Sequence, residues 1–254
     1  MSKEILLIGV GEMGGVFARA FLKAGYTIVP VTRETDWAGL TGRDFAAVLV
    51  AVGEKDLQAT LEKLPQNWQD RVILLQNELL PKDWQKHELT NPTVISVWFE
   101  KKYPNDYKVI IPSPVYGPQA ALIAEALKSL NIPVKICADE NELLFELILK
   151  NLYILTTNVC GLKVGGTVGE LWHDHEALAR AVAGDVLNIQ FHLAGKELDR
   201  EQLIQAMVAA FEGDRDHKCM GRSAPARLER ALTQAQEAGL DTPALNEIQN
   251  IRSA

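Results

Sequence analysis

The sequence predicts an α/β domain with a doubly wound, mostly parallel sheet, followed by an all-α domain. Up to about residue 138, short apolar runs typical of buried parallel strands alternate with segments of helical periodicity. Beyond that point, runs rich in β-branched residues become rare and helical periodicity dominates. We therefore place the first domain at residues 1–138 and a helical substrate-binding and dimerisation domain at residues 139–254.

The expected elements follow from these periodicities. In the first domain, apolar runs predict strands at 4–8, 26–31, 45–52, 71–75, 94–99, 109–111 and 134–137. Helical spacing in the same domain predicts helices at 16–24, 57–64 and 120–130. In the second domain it predicts helices at 140–163, 175–194, 199–211 and 224–238.

Composition restricts the classes of partner. The chain has 254 residues, 47% of them hydrophobic, and a formal net charge of −7. Without a basic stripe, this acidic balance argues against a nucleic-acid partner. The apolar runs are shorter than the roughly 20 residues that span a bilayer, and the N-terminus lacks the pattern of a signal peptide. Three widely spaced cysteines suggest free thiols, mostly buried. We therefore expect a cytoplasmic protein with no membrane partner.

A glycine motif follows the first expected strand. Gly9, Gly11 and Gly14 have the spacing Gly-x-Gly-x-x-Gly and lie between a strand and a helical pattern. In a Rossmann-type domain these glycines permit a tight turn, close approach of a pyrophosphate, and packing of the helix on the strand. The alternative is a glycine-rich turn without a ligand. The residues expected to bind a dinucleotide here are Gly9, Val10, Gly11, Glu12, Met13 and Gly14.

The end of the second strand predicts which dinucleotide binds. Thr32 and Arg33 stand where an arginine typically meets the 2′-phosphate of NADPH. The alternative cofactor is NADH, because the acidic Glu34 can hold the ribose hydroxyls. The alternative role of Arg33 is only to solvate the end of the strand. We expect NADPH, with Val52 and Gly53 at the end of the next strand also in contact with it.

Polar residues elsewhere predict catalytic groups. Asn77 follows the strand 71–75, where it would lie near the nicotinamide unless it only holds a turn. Lys150 and Asn158 share one stripe of an apolar helix, with Ile154 between them. Burial of Lys150 would lower its pKa and suit it to proton transfer, whereas a lysine that reaches the surface would be structural.

Two further segments have weaker signals. His173, Asp174 and His175 resemble a metal-binding pair, but no other ligand spacing supports a metal site, so we expect a solvated helix start and no metal. The polar segment 213–222 fits a surface loop and an anion-binding lid equally well.

Together, the glycine motif, Gln76-Asn77 and the pair Lys150 and Asn158 make the chain resemble the ketopantoate reductases, which belong to the 6-phosphogluconate dehydrogenase-like enzymes. The resemblance implies a Rossmann domain followed by a helical domain, with the active site in the cleft. It implies that Asn77 contacts substrate and cofactor, and that Lys150 protonates the carbonyl oxygen as hydride arrives. Asn158 matches a second polar position on the same helix.

The chain also departs from this family. The helix has Ile154 where the family has an asparagine, Gly53 stands where it has a lysine, and Glu78 where it has a glycine. A late substrate-binding carboxylate has no counterpart near Ser223. We therefore expect an NADPH-dependent reductase of a small, 2-keto acid-like carbonyl compound, divergent from ketopantoate reductase and able to form a homodimer. The alternatives are an NADP(H)-binding protein with little catalysis, such as a redox sensor or partner-binding module, and an NADP-linked imine reductase.

Overall fold

The computed structural model describes residues 2–102 and 106–253. The chain divides into two compact units, residues 1–146 and 147–254. The division falls inside one long helix, Glu140–Val164, whose first residues lie close to the boundary that the sequence suggested at 138/139.

In the described residues, the strands are β1 (Glu4–Ile8), β2 (Thr27–Val31), β3 (Ala47–Val50), β4 (Val72–Leu74), β5 (Thr93–Ile95), β6 (Phe99–Lys102), β7 (Asp106–Val109), β8 (Ser113–Tyr116) and β9 (Val134–Ile136). The α-helices are α1 (Glu12–Lys23), α2 (Leu57–Leu61), α3 (Lys82–Gln85), α4 (Ala120–Lys128), α5 (Glu140–Val164), α6 (Val168–Asp174), α7 (Glu176–Ala194), α8 (Arg200–Gly213), α9 (Ala224–Glu237) and α10 (Pro243–Ser253). Short 3-10 turns occur at Ala38–Leu40, Glu54–Asp56 and Gln66–Arg71.

The sheet of the first unit confirms the predicted mostly parallel α/β architecture. Its strand order is β2-β1-β3-β4-β5-β8-β9, and each neighbouring pair is parallel except β5 with β8. β2 pairs only with β1, which fits the presence of Pro30 in an edge strand. The inner strands are continuous apolar runs because helices cover both faces of a parallel sheet.

Two of the expected strands are wrong in their bounds. The run 94–99 forms a sheet strand only as far as Ile95. The Ser96 amide still donates to the Pro114 carbonyl of β8, but the Trp98 amide donates to the Ser113 hydroxyl and not to strand backbone. The chain then forms the hairpin β6–β7, which replaces the strand expected at 109–111. β8 was not expected, since Pro112 and Pro114 interrupt its apolar pattern.

Helix α1 fixes the geometry of the first unit because one of its faces packs into the core. Val16, Phe17 and Ala20 are almost fully buried and belong to the same apolar cluster as Ile5 of β1 and Ile123 of α4. This apolar face positions the N-terminus of α1 directly after β1.

The second unit is helical, as predicted. Helix α5 is long and apolar enough to cross a membrane, but 89% of its apolar window is buried inside the protein, as in a core helix. The expected start of α8 is confirmed, since the Asp199 carboxylate accepts a hydrogen bond from the Gln202 amide at 2.9 Å.

Two helices of the second unit were not expected. Helix α6 begins with a capping box, in which the Thr167 hydroxyl accepts from the Glu170 amide while the Thr167 amide donates to the Glu170 carboxylate. The start of α10 is held by Asp185, whose carboxylate accepts hydrogen bonds from the Ala244 and Leu245 amides. Burial raises the pKa of Asp185, and these two amide bonds act against the shift.

Candidate functional site

The candidate cofactor site lies at one edge of the sheet. Because β2, β1, β3 and β4 are parallel, their carboxyl ends meet at that edge. The chain order reverses between β1 and β3, which makes this crevice the topological switch point where doubly wound sheets bind ligands. The predicted cofactor residues of the first unit all follow these four strands, and the fold therefore brings them to the same edge.

Two of the three motif glycines after β1, Gly9 and Gly14, are required by close contacts. Gly9 has φ +95°, and a Cβ there would lie 2.8 Å from the Ala51 carbonyl oxygen. A Cβ at Gly14 would lie only 2.1 Å from the Gly9 carbonyl oxygen. In contrast, a Cβ at Gly11 would meet no atom within 4 Å. Gly9 and Gly14 thus serve the turn and its packing, while Gly11 faces open space.

The N-terminus of α1 offers free amides beside that open space. Gly11 is the N-cap residue and provides no side-chain cap, so the first amides of the helix are available to an anion. Val10 is 51% exposed, and Glu12, the acidic residue of the first turn, is also exposed. These features fit a pyrophosphate group bound by backbone amides.

Thr32 and Arg33 lie next to this loop. The Gly9 amide donates to the carbonyl of Val31, the last residue of β2. The Arg33 side chain is 91% exposed, and its Nη2 lies 3.9 Å from an Asp56 carboxylate oxygen. The Thr32 hydroxyl accepts a weak hydrogen bond from the Glu34 amide. Arg33 is therefore exposed at the edge, and a long ion pair with Asp56 is its one contact with a charged group among the described residues.

Gln76 connects the ends of β3 and β4. Its side chain is buried, and its Nε2 donates to the carbonyl oxygens of Val50 and Val52 at 2.7 and 3.2 Å. This contact fixes the backbone that leads into Gly53, which is exposed and has open space around it. The sequence pointed to Gln76-Asn77 as a site but gave no role to Gln76, whose side chain holds the backbone between two strand ends.

Asn77 and Glu78 form the turn after β4. The Asn77 Nδ2 donates to a Glu54 carboxylate oxygen at 3.1 Å. Glu78 has φ +59°, a left-handed conformation that favours glycine. The turn therefore holds glutamate in a backbone conformation that glycine adopts without strain.

Lys150 is half-buried, a state between the burial and the surface position that the sequence left open. Its Nζ lies 5.9 Å from the ring centroid of Tyr153, within the range of a cation–π contact. Ile154, one turn further along α5, is 7% exposed.

Asn158 is buried and contacts two other segments. Its Nδ2 donates to the Cys219 carbonyl oxygen at 3.2 Å, and its Oδ1 accepts from Arg227 Nη1 at 2.8 Å. Arg227 was missed by sequence reasoning, since it is 69 residues away along the chain. A second buried asparagine of α5, Asn151, is structural: its amide donates to the Gln190 side chain in the core.

The segment after α8 packs against the rest of the second unit. The Cys219 amide donates to the Gly166 carbonyl, and the Val168 amide donates to the His217 carbonyl. A Cβ at Gly161 would lie 2.9 Å from the Cys219 Cβ, so this segment lies directly on α5. These contacts favour a packed connection over a lid.

The remaining candidates have structural explanations. His173 and Asp174 contact each other in the last turn of α6, and the exposed His175 is the N-cap residue of α7, so the expected helix start falls at His175. The three cysteines are buried and free. Burial is the main cause that raises the pKa of Cys137 and Cys219 to about 11 and of Cys160 to about 12, so these thiols stay protonated at neutral pH.

No known family and no curated protein matches the sequence. Solved structures do match. A 2-dehydropantoate 2-reductase from Methylococcus capsulatus has a TM-score of 0.69 and 12% identity, over 98% of this chain and 96% of that one. A dimeric ketopantoate reductase from Staphylococcus aureus has a TM-score of 0.66 and 17% identity, over 98% and 96%. A D-mandelate dehydrogenase in ternary complex with NADH and anilino(oxo)acetate has a TM-score of 0.68 and 13% identity, over 97% and 96%.

These likenesses show the fold. The chain has the architecture of the ketopantoate reductases and of D-mandelate dehydrogenase, a Rossmann domain followed by a helical region, and the resemblance predicted from the sequence is confirmed at this level. The low identities agree with a divergent member.

Three neighbouring glycines give a matched test of the loop. Gly14→Ala forces the Gly9 carbonyl to move, so we expect the free energy of unfolding to fall by about 1–3 kcal/mol. Gly15→Ala meets no atom within 4 Å and should leave stability unchanged or raise it by up to about 1 kcal/mol. Gly11→Ala should cost less than about 1 kcal/mol yet weaken NADPH binding at least tenfold. Urea denaturation measures the stability of each variant, and fluorescence titration measures its affinity for NADPH.

If Gly11→Ala binds NADPH as tightly as the wild type, the open space at Gly11 does not receive the pyrophosphate. If Gly14→Ala is as stable as Gly15→Ala, the close contact with the Gly9 carbonyl is not a real constraint.

The left-handed backbone at Glu78 predicts an order of stability. Glu78→Gly and Glu78→Ala both remove the side-chain contacts, but only glycine adopts the positive φ without strain. We expect the glycine variant to be more stable than the alanine variant by about 1 kcal/mol in urea denaturation. Equal stability of the two variants would show that the turn stores no such strain.

Proposed function

We propose that the protein is an NADPH-dependent reductase of a small carbonyl compound with 2-keto acid-like chemistry. The observation that carries this proposal is the loop Gly9–Gly14, which places an uncapped helix N-terminus and an unobstructed Gly11 at the switch point of the sheet. The solved structures of similar fold support it, since they include 2-dehydropantoate 2-reductases and a D-mandelate dehydrogenase. The divergence at Ile154, Gly53 and Glu78 favours a substrate other than ketopantoate.

Arg33 supports NADPH over NADH as the preferred cofactor. Its exposed guanidinium lies beyond β2, beside the glycine loop, and suits the bidentate binding of a phosphate group. Asp56 competes for the same guanidinium, and Glu34 is available to ribose hydroxyls. Since the D-mandelate dehydrogenase structure holds NADH, the choice between the two cofactors needs a direct measurement.

The reduction needs one hydride and one proton. NADPH, when bound, would supply the hydride that adds to the carbonyl carbon, and it would become NADP⁺. In our proposal, the Lys150 ammonium donates a proton from Nζ to the carbonyl oxygen, which gives the alcohol, and Lys150 is reprotonated from solvent. Asn77, fixed by Glu54 at the carboxyl end of β4, would orient the cofactor and substrate.

A specific observation favours the rival function, a cofactor-binding protein with little catalysis. The polar atoms of Asn158 are engaged by Cys219 and Arg227, and Ile154 contributes no polar atom. Under this rival, NADPH binds but no carbonyl compound is reduced.

We also propose a cytoplasmic location and a homodimer. The Staphylococcus aureus enzyme of similar fold is dimeric, and light scattering after size exclusion measures the state of this chain.

If Arg33 selects NADPH, mutations of Arg33 and of its ion-pair partner Asp56 should change NADPH affinity in opposite directions. Arg33→Ala should weaken NADPH binding by about 1.5–3 kcal/mol, because a charge-assisted contact with the phosphate is lost, and should leave NADH binding unchanged. Asp56→Asn releases Arg33 and should tighten NADPH binding slightly. Calorimetric titration of both cofactors tests this. Equal affinity of the wild type for NADH and NADPH would exclude the preference.

If Lys150 is the proton donor, its removal should lower turnover without a matching loss of NADPH affinity. Lys150→Ala should lower kcat by about 10²–10⁴-fold in NADPH oxidation with the best substrate from a screen of 2-keto acids, with little change in NADPH affinity. Lys163→Ala is the matched control, since Lys163 lies on the same helix and pairs with Glu247. Full activity of the Lys150 variant would make that residue structural, and NADPH binding by a wild type that reduces no carbonyl would favour the rival function.

A further inference from the structure

Gln76 is a buried amide just beyond the carboxyl end of β4, and only 8% of it is exposed. Its Nε2 donates to two carbonyl oxygens of the neighbouring chain, those of Val50 at 2.7 Å and Val52 at 3.2 Å. Its Oε1 accepts from the Leu75 amide at 3.2 Å. Because the two carbonyl oxygens can only accept, the nitrogen of the side-chain amide must face them. Both ends of the amide are therefore used to hold backbone.

The backbone held in this way leads into the cofactor edge. We call residues 52–56 the β3 loop, which ends in a 3-10 turn. A Cβ at Gly53 would meet no atom within 4 Å, so the loop leaves open space there. The next residue, Glu54, accepts a hydrogen bond from Asn77 Nδ2 at 3.1 Å. The β3 loop thus carries an open glycine and the carboxylate that holds Asn77.

The β3 loop depends on polar contacts for its position. Gly53, Glu54 and Lys55 are exposed, so apolar burial contributes little to holding them in place. The Val52 carbonyl, directly before them, is held by the buried Gln76 amide. A side chain without a donor at this position would leave the carbonyl oxygens of Val50 and Val52 without that partner. The donor on Gln76 is therefore the chemical feature that fixes the start of the loop.

We propose that Gln76 is a positioning residue for the dinucleotide. Its Nε2 fixes the β3 loop, which keeps the space at Gly53 open and orients Asn77 through Glu54. Gln76 contacts no ligand itself in this account. The inference rests on the proposed function, and it names the group that keeps the empty site in the form that binds the cofactor. A protein that lacks this donor must reorder the loop on binding, and the cost of reordering weakens the affinity.

Two substitutions change the donor and keep a side chain of similar length. Gln76→Met has no donor at any pH. Gln76→Glu has none when ionised, but its protonated carboxyl group donates one hydrogen bond. The probe is NADP⁺, which tolerates acidic buffer, and calorimetric titration at about pH 5.5 and about pH 8.5 gives its dissociation constant. The ratio of the variant value to the wild-type value at each pH removes effects common to both proteins.

We expect Gln76→Met to raise the dissociation constant about tenfold at both pH values, because the two carbonyl oxygens lose their donor. Gln76→Glu should be weakened by a similar factor at the alkaline pH and should approach the wild type at the acidic pH. Wild-type affinity of Gln76→Met at both pH values would overturn the proposal. So would a Gln76→Glu variant that binds more weakly at the acidic pH than at the alkaline pH.

A matched control applies the same change of amide to acid elsewhere in the first unit. Asn67 Nδ2 donates to the Thr41 carbonyl at 2.9 Å, and both residues precede the strands β3 and β4, at the opposite edge of the sheet. Asn67→Asp should bind NADP⁺ as the wild type does at both pH values. Urea denaturation measures the stability of each variant. A Gln76 variant that loses stability but keeps its affinity would make Gln76 merely structural, which contradicts the proposal.

The failure of the proposed function gives a different result, since it is seen in the wild type alone. If the wild type binds NADP⁺ but reduces no 2-keto acid with NADPH, the reductase function is wrong, and the titrations still decide the role of Gln76. If the wild type binds neither NADP⁺ nor NADPH, the cofactor is wrong and the positioning role is overturned with it.

Discussion

The contact between the start of α1 and the end of β1 determines the arrangement of the candidate cofactor site. A side chain at Gly14 would collide with the Gly9 carbonyl, so the helix begins directly beside the strand that precedes it. Its buried face, which includes Val16 and Phe17, holds it in that position. The first turn of α1 therefore begins at the crevice between β1 and β3 without a side-chain cap, where a pyrophosphate would benefit from the free amides and the helix dipole in the proposed function.

The two units provide different chemical groups. The first unit presents backbone amides, Arg33 and the amide of Asn77, which suit recognition of a nucleotide. The second unit presents Lys150 and Arg227, two cations associated with α5. In the proposed function, the groups of the first unit bind the hydride carrier and Lys150 of the second unit donates the proton.

The turn between β1 and α1 was predictable because its signals are local. Gly9, Gly11 and Gly14 act within six residues, and an apolar strand and a helical pattern flank them, so the spacing alone defines the turn. Helix α6 was also encoded locally, by the capping box of Thr167 and Glu170, and its signal was overlooked. In both cases the interactions connect residues that are close in sequence.

The features that sequence reasoning missed depend on tertiary contacts. Nothing near Arg227 shows that it meets Asn158, because the contact requires α9 to pack on α5. The half-buried state of Lys150 depends on the ring of Tyr153 and on the neighbours of that ring, Phe211 and His217, which come from elsewhere in the chain. β8 was obscured by prolines, and only its pairing with β5 and β9 defines it as a strand.

Amide hydrogen exchange with and without NADPH tests most directly whether the glycine loop binds the dinucleotide. Bound pyrophosphate would accept hydrogen bonds from the first amides of α1 and slow their exchange. We expect NADPH to protect the peptides that cover Gly9–Gly14 and Val52–Gly53, while peptides from α8 exchange at the same rate in both states. Unchanged exchange at Gly9–Gly14 in the presence of saturating NADPH would contradict the central claim.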